Sequence, residues 1–533
     1  MLSLLLYAAL FAQYAAAMNT LIDLGYAKYR GKNIGNGILR WTGMRYARSV
    51  SRVDGLRFTA PQDPIDERNI VDATQFGPLC IGTNTDLTAE FGETHWEDCL
   101  FVNVFAPVRA TNESPLPVYV FIQGGGFNVN GNANYNGAGL IDAADNDMVV
   151  VNFNYRVGPY GFLARRELTA NTSLSLNNRV KDQRQALKWV QKYIQYFGGD
   201  PNHVTIGGAS AGGGSVVFQL TAYGGRNDNL FHAATAESPS FPPLRDVNNS
   251  QWQYEALRHR TGCADLTCMA TMDAVTFQNT VRTLQEPFPG GKHPPLRAGQ
   301  FVKVPTMFGT AAHEGINFTP ANIISLPLAQ QFLVDQFPGL NWRELRRLWS
   351  NPIDITRDAP WRSLASDVYG SIRYNCPTLR MTSKFAFNNT SPTWQYSWNV
   401  GTASHVGELL PIWNNGSSAA SVFVQAYWAS FIRTYDPNTY TTKYLVSQGS
   451  ELESPEWHAF HASDGQRLEF DDKNIVEMVD VPQAEWNKCG FINSMELHQK
   501  QPAASSGDRH PSFTFDHVIV NTSLLSLLQR VYT

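Results

Sequence analysis

Charge is scarce in this chain and nowhere concentrated. Only 17% of its 533 residues are charged, the formal balance is −4, and no run of lysines or arginines occurs. A nucleic acid or an anionic membrane surface would need such a run as its electrostatic footprint, so neither partner is expected. Beyond the N-terminus no 18-residue apolar stretch is free of charge, so no transmembrane segment is expected either. Cysteine is sparse too. There are six, none in a Cys-x-x-Cys pair, and no histidines stand at ligand spacing, so no zinc site or other metal centre is expected. No internal repeat and no long Pro/Ser/Gly linker divides the chain, which reads as one large domain, residues 18–533, with helical insertions. Hydrophobic residues make up 43%, enough for a large core and too many for a disordered chain.

The N-terminus carries a short apolar stretch, Leu2 to Ala17, ending in Ala15-Ala16-Ala17. Small residues there suit a signal peptidase, and the stretch is too short to span a membrane comfortably. Residues 1–17 therefore read as a signal peptide, although no basic residue follows Met1, and the protein is expected to be secreted. Glycosylation sequons stand at Asn112, Asn171, Asn248, Asn317, Asn388, Asn389, Asn415 and Asn521. The six cysteines (Cys80, Cys99, Cys263, Cys268, Cys376 and Cys489) form an even set that suits three disulfides. Fifteen pairings are open at this point. Gln501 to His510, rich in small and polar residues, reads as a loop before a short C-terminal extension.

The middle of the chain alternates short β-branched runs with amphipathic helical patterns. That signature predicts an α/β protein built on a large, mainly parallel sheet flanked by helices. Strands are expected at Val118–Ile122, Met148–Tyr155, His203–Gly207, His232–Ala236, Val304–Gly309 and Trp394–Val400. Asn178–Phe197 reads as a helix, with Leu187, Val190, Ile194 and Phe197 on one stripe and Gly198-Gly199 as its stop. Ser418–Thr434 reads as another, ending before Asp436-Pro437.

Two glycine-rich motifs carry chemistry. Gly208-Ala209-Ser210-Ala211-Gly212 follows the expected strand at His203–Gly207 and precedes the helix-compatible Ser215–Leu220. This is the setting of a nucleophile elbow, in which a sharp turn strains the serine backbone and flanking glycines avoid side-chain clashes. In a chain of 41 glycines the five-residue pattern also arises by chance, so the strand before it and the helix after it give it weight. Gln123-Gly124-Gly125-Gly126-Phe127 follows the strand at Val118–Ile122. Alone it would serve equally as a tight turn. Ahead of a nucleophile elbow, it stands where this fold keeps backbone donors for an oxyanion. No Gly-Lys-Ser/Thr ending makes it a phosphate cradle.

Longer stretches carry a family likeness. Phe197-Gly198-Gly199-Asp200-Pro201, followed by Val204 to Gly212, resembles the active-serine signature of type-B carboxylesterases. Glu97-Asp98-Cys99-Leu100-Phe101-Val102-Asn103-Val104-Phe105-Ala106-Pro107 is similar to their second signature. Asn154 to Gly158 and Asp182-Gln183 also look like that family, and the likeness runs from about Asp23 to Gly490. The Gln-Gly-Gly-Gly form and Glu237-Ser238-Pro239-Ser240-Phe241 look nearest to secreted fungal members. The resemblance implies an α/β-hydrolase fold and a serine esterase acting on small-molecule esters, with no metal or organic cofactor. It implies Ser210 as nucleophile, Glu314 in Gly309 to Gly315 as the acid, and His405 in Gly401 to Leu409 as the base. It places oxyanion donors at the amides of Gly125, Gly126 and Ala211, and a serine that hydrogen-bonds the acid at Ser238. His313 is then a spectator. Cystines would be Cys80–Cys99, Cys263–Cys268 and Cys376–Cys489, and a monomer or homodimer is expected.

The chain departs from the family where Ala209 replaces the usual glutamate before the serine, removing any help from that carboxylate. The loop between Cys80 and Cys99 is short for a lipase lid, and Trp96 sits too near Cys99 to match the choline-binding tryptophan of cholinesterases. Phe127 and Trp413 could line the pocket or belong to the core. Two rivals share the fold: a catalytically dead binding protein, which would have lost the serine or histidine, and an enzyme passing its acyl group to an alcohol or amine or closing a lactone.

Overall fold

A computed structural model of the chain describes residues 18–495, apart from 87–93, 131–133, 167–173, 242–246, 284–298, 338, 350–358, 389, 415–417, 448, 450–452, 463–464 and 474–475. The expected signal peptide, the 501–510 loop and the sequons at Asn171, Asn389, Asn415 and Asn521 lie outside the described residues.

Eleven strands form the principal sheet. In chain order they are β1 (Lys32–Asn33), β2 (Ile38–Arg45), β3 (Phe101–Pro107), β4 (Leu116–Ile122), β5 (Val149–Phe153), β6 (Gly199–Gly208), β7 (Ala233–Glu237), β8 (Thr306–Ala311), β9 (Thr393–Asn399), β10 (Gln466–Asp471) and β11 (Val476–Asp480). In space they run β11-β10-β9-β8-β7-β6-β4-β5-β3-β2-β1. The seven from β5 across to β10 are parallel, and antiparallel strands close both edges.

The parallel strands read as continuous apolar runs because both faces are covered. Val118, Val120 and Ile122 of β4 point to one face, where they pack with Val204 and Ile206 of β6 and with Leu187, Val190, Ile194 and Phe197. Tyr119 and Phe121 point to the other face, towards Trp428 and Phe431 of the helix Ala419–Thr434. This is the two-residue alternation of a strand buried on both sides. Trp413 packs in the second layer against Phe121 and Tyr135, at 4.8 and 5.1 Å between ring centroids, and so belongs to the core.

The expected strands are all present, with ends shifted by a few residues. The expected helix over 178–197 divides into an α-helix, α1 (Asn178–Tyr193), and a 3-10 turn over Ile194–Phe197. Gly198 ends it at φ 68°, where an added Cβ would lie 2.6 Å from Ala110. Gly199, expected to help stop the helix, instead opens β6 by pairing with Leu116, and a register shift follows before Val204. Two acids of the second family signature are structural. Glu97 is in a buried ion pair with Arg57 at 2.5 Å, and Asp98 takes both arms of Arg45 at 2.6 Å.

All six cysteines are paired as the family likeness implied: Cys80–Cys99, Cys263–Cys268 and Cys376–Cys489. Among the sequons inside the described residues, Asn112, Asn248 and Asn317 are exposed. Asn388 is half-buried and its amide nitrogen donates to the Lys384 carbonyl at 2.9 Å. No helix among the described residues is long and apolar enough to cross a membrane.

Cys376–Cys489 ties the helix Cys376–Asn388 to the helix Gln483–Ser494 across 113 positions of sequence. Replacing both cysteines with serine should lower the unfolding free energy by about 2–4 kcal/mol, read by urea unfolding under non-reducing conditions. An unchanged midpoint would show that packing alone holds these helices together.

Candidate active site

Each candidate residue stands just beyond the carboxyl end of a parallel strand, and backbone pairing continues past the strands to hold it there. Ala209 bridges Glu237, extending the β6–β7 pair, and the Ser210 amide donates to the Glu237 carbonyl at 2.8 Å. His313 bridges Ser404, extending the β8–β9 pair, and its amide donates to Ala403 at 2.8 Å. Glu314 and His405 are the next residue on each side of that bridge. His313 itself is exposed and takes part through its backbone.

Ser210 has φ 58° and ψ −121°, an unfavourable conformation for a residue with a Cβ. The helix α2 (Ala211–Gly225) starts directly after it, losing helical geometry over Ala222 to Gly224. The flanking glycines are required by space. A Cβ on Gly208 would sit 2.6 Å from the Gly212 backbone, and one on Gly212 would sit 1.9 Å from the Ile122 carbonyl. The glycine loop leans on this elbow, since a Cβ on Gly124 would meet the Ala209 carbonyl at 2.9 Å and the Ser210 Cβ at 3.1 Å. Gly125, Gly126 and Phe127 then run at φ 115°, 61° and 69°. Among the described residues, the amides of Gly125, Gly126 and Ala211 make no hydrogen bond. Tyr155 braces the loop from beneath by donating its hydroxyl to the Gln123 carbonyl at 2.6 Å.

The acid and the histidine are in direct contact. His405 Nδ1 is hydrogen-bonded to Glu314 Oε2, while Glu314 Oε1 accepts the Ala311 amide at 2.8 Å. Glu314 is 1% exposed and His405 7%. The imidazole packs against Tyr374 and Phe318, with ring centroids at 4.4 and 5.1 Å. Its Nε2 is buried with no hydrogen-bond partner, so serine and imidazole are not bonded to each other in this structure. Residues 237–240 join the two loops. The Ser240 amide donates to the Ser210 carbonyl at 2.9 Å, and the Val406 amide donates to Ser238 Oγ at 3.4 Å.

Ser238 stands between the acid loop and the histidine loop. Its hydroxyl accepts the Val406 amide, and among the described residues it makes no hydrogen bond to Glu314. The Ser238 amide donates to the Gly309 carbonyl at 2.9 Å, which ties this residue to the end of β8.

Below the pair lie two further acids that sequence reading did not single out. Glu408 is fully buried and accepts the Tyr396 hydroxyl at 2.6 Å. Glu237 is fully buried and accepts from Trp428 Nε1 at 3.3 Å and from the Tyr119 hydroxyl at 3.4 Å. Burial, then the charge of Glu408, pushes the Glu237 carboxyl up to about 8. Burial, with Glu314 nearby, pushes Glu408 up to about 7. Glu237 lies in a stretch noted only for its family likeness, and nothing in the sequence signals its burial. Among the described residues, no cluster of three or more His, Cys, Asp or Glu is arranged to hold a metal ion.

A mainly parallel sheet with a serine on a strand-to-helix elbow, followed in order by an acid and a histidine at later strand ends, defines the α/β-hydrolase class. The chain belongs to the carboxylesterase family, whose model matches residues 19–487. It is 32% identical over 406 residues to secreted lipase 1 of Botryotinia fuckeliana, covering 65% of this chain and 69% of that one. It is 28% identical over 506 residues to secreted lipase 4 of Gibberella zeae, covering 86% and 88%. The crystal structure of Aspergillus niger EstA superposes with a TM-score of 0.80 at 34% identity, covering 90% of this chain and 99% of that chain. The protein is accordingly a carboxylic ester hydrolase, in a family that acts on small-molecule esters.

The raised carboxyl of Glu237 has a consequence for stability. Between about pH 4.5 and 8 the folded chain keeps a proton there that the unfolded chain releases, so stability falls as pH rises through that window. Glu237→Gln removes this proton uptake. Its melting temperature relative to wild type should therefore climb from about pH 5 and level off above about pH 8. A difference independent of pH would mean that the carboxyl does not titrate in this range.

Proposed function

We propose that the protein is secreted and cleaves carboxylic esters through a Ser210–His405–Glu314 triad and a covalent acyl-enzyme. The observation that carries this reading is the buried His405–Glu314 pair. It presents an imidazole oriented through Nδ1 by an inaccessible carboxylate, with Nε2 left without a partner. An unpartnered buried nitrogen is costly, and it suits a group whose partner is a reacting proton.

His405 Nε2 takes the hydroxyl proton as Ser210 Oγ bonds to the ester carbonyl carbon. The carbonyl oxygen becomes an oxyanion, received by the amides of Gly125, Gly126 and Ala211. Collapse breaks the bond to the alcohol oxygen, which leaves with the proton from His405. Water then repeats the sequence on the acyl-enzyme, giving up one proton to His405 and its oxygen to the acyl carbon. The Ser210–acyl bond breaks, the acid departs, and Ser210 regains its proton. Glu314 stays ionised, holding the imidazole tautomer and stabilising the imidazolium.

Secretion is supported by the apolar Leu2–Ala17 segment, by relatives named as secreted lipases, and by three disulfides, which suit an oxidising compartment. Glycans are proposed at the exposed Asn112, Asn248 and Asn317.

Wild-type protein should hydrolyse a series of p-nitrophenyl esters and be labelled covalently at Ser210 by an organophosphate. Ser210→Ala, with an unchanged circular dichroism spectrum, should lose roughly 10⁴-fold or more in kcat. Hydrolysis by that variant near the wild-type rate would rule out Ser210 as nucleophile.

A further inference from the structure

Arg179, in the first turn of α1, is 1% exposed. Its Nε and Nη1 are buried without a hydrogen-bond partner, and it forms no ion pair among the described residues. A buried guanidinium normally faces a carboxylate, because an unneutralised charge in a dry interior is costly. The buried Arg156 shows the ordinary arrangement nearby, meeting Asp182 at 2.6 and 2.8 Å. Arg179 is instead walled by rings. Its Cζ lies 3.7 Å from the centroid of Phe127, 4.1 Å from Phe162 and 5.4 Å from Phe218. Such contacts offset part of the desolvation cost while leaving the net charge in place.

The rings locate that charge. Phe127 directly follows Gly126, so the loop carrying two proposed oxyanion donors ends on the guanidinium. Ala211, the third donor, packs in the same cluster as Phe127 and Phe162. Phe127 is therefore a wall of the charge box rather than of an open pocket, at 1% exposure. The titratable group facing Arg179 from the loop side is Tyr155, which burial pushes up to about 12 and which braces Gln123. Burial lowers Arg179 to about 9, so it is charged at neutral pH.

We infer that Arg179 is a positioning residue that stacks the glycine loop in place and sets an unneutralised positive charge behind it, favouring the oxyanion over the neutral ester. This rests on the triad reading above. The reaction itself then supplies the anion that the guanidinium lacks at rest. Because the charge acts on the transition state and not on the neutral substrate, its removal should lower kcat and leave KM nearly unchanged.

The test uses the full-length protein with a p-nitrophenyl ester and with an aryl trifluoromethyl ketone, which binds a nucleophilic serine as an anionic adduct. Arg179→Met, matched to wild type in melting temperature, should lose roughly tenfold in kcat and in ketone affinity, with KM within about twofold. Arg179→Lys should keep most of both at neutral pH. Its kcat should then fall on raising the pH, as a buried lysine titrates below its usual value of about 10.4. That pH limb remains readable even if the methionine variant does not fold. A folded Arg179→Met with wild-type kcat would overturn the proposal. So would equal losses in the Met and Lys variants with unchanged ketone affinity, or an Arg179→Lys profile parallel to wild type. Failure of an organophosphate to label Ser210 in the wild type would instead sink the triad reading, independently of these comparisons.

Discussion

Parallel strand pairing that runs on past the strand ends is the constraint on which the site depends. In a parallel sheet every carboxyl end faces the same way, so the loops leaving β6, β8 and β9 meet at one edge. Two single bridges, Ala209 with Glu237 and His313 with Ser404, extend the ladder just far enough to deliver the candidate residues. The strain at Ser210 is tolerated because hydrogen bonds on both sides over-determine it: its amide is held by Glu237 and its carbonyl by Ser240 and Gly214. Flexible loops alone would not hold a nucleophile and a base to a common geometry.

Around that edge the buried titratable groups are unevenly distributed. Glu314, Glu408 and Glu237 lie on the histidine side, the last two hydrogen-bonded by Tyr396, Tyr119 and Trp428. On the side of the glycine loop lies the ring-walled Arg179. The carboxyl bonded to the imidazole favours a developing imidazolium, and a positive group near the loop favours a developing oxyanion. This polarity matches the charge separation of ester cleavage, and it is obtained without the usual glutamate before the serine, where this chain has Ala209.

The relatives share about a third or less of their residues with this chain, yet the superposition extends over nine-tenths of it. In this chain Gly208 and Gly212 have no room for a side chain, Tyr155 reaches Gln123, and Arg156 meets Asp182. The family signatures coincide with these packing demands as much as with chemistry, which is why Glu97 and Asp98 turn out to be partners of arginines.

Local rules made the strand–glycine–helix order, the elbow, the glycine loop and the main strands legible from residues alone, since a tight turn or a doubly buried strand restricts its own few residues. The acid, the histidine and the cystine pairing were readable only through family likeness; a lone histidine among twelve carries no local mark. Tertiary structure decided the rest. Ser238 accepts the Val406 amide, Phe127 and Trp413 are core, and Glu237, Glu408 and Arg179 are buried titratable groups. The electrostatic state of a side chain depends on which distant groups surround it and how much water they exclude, and neither is written in its neighbours along the chain.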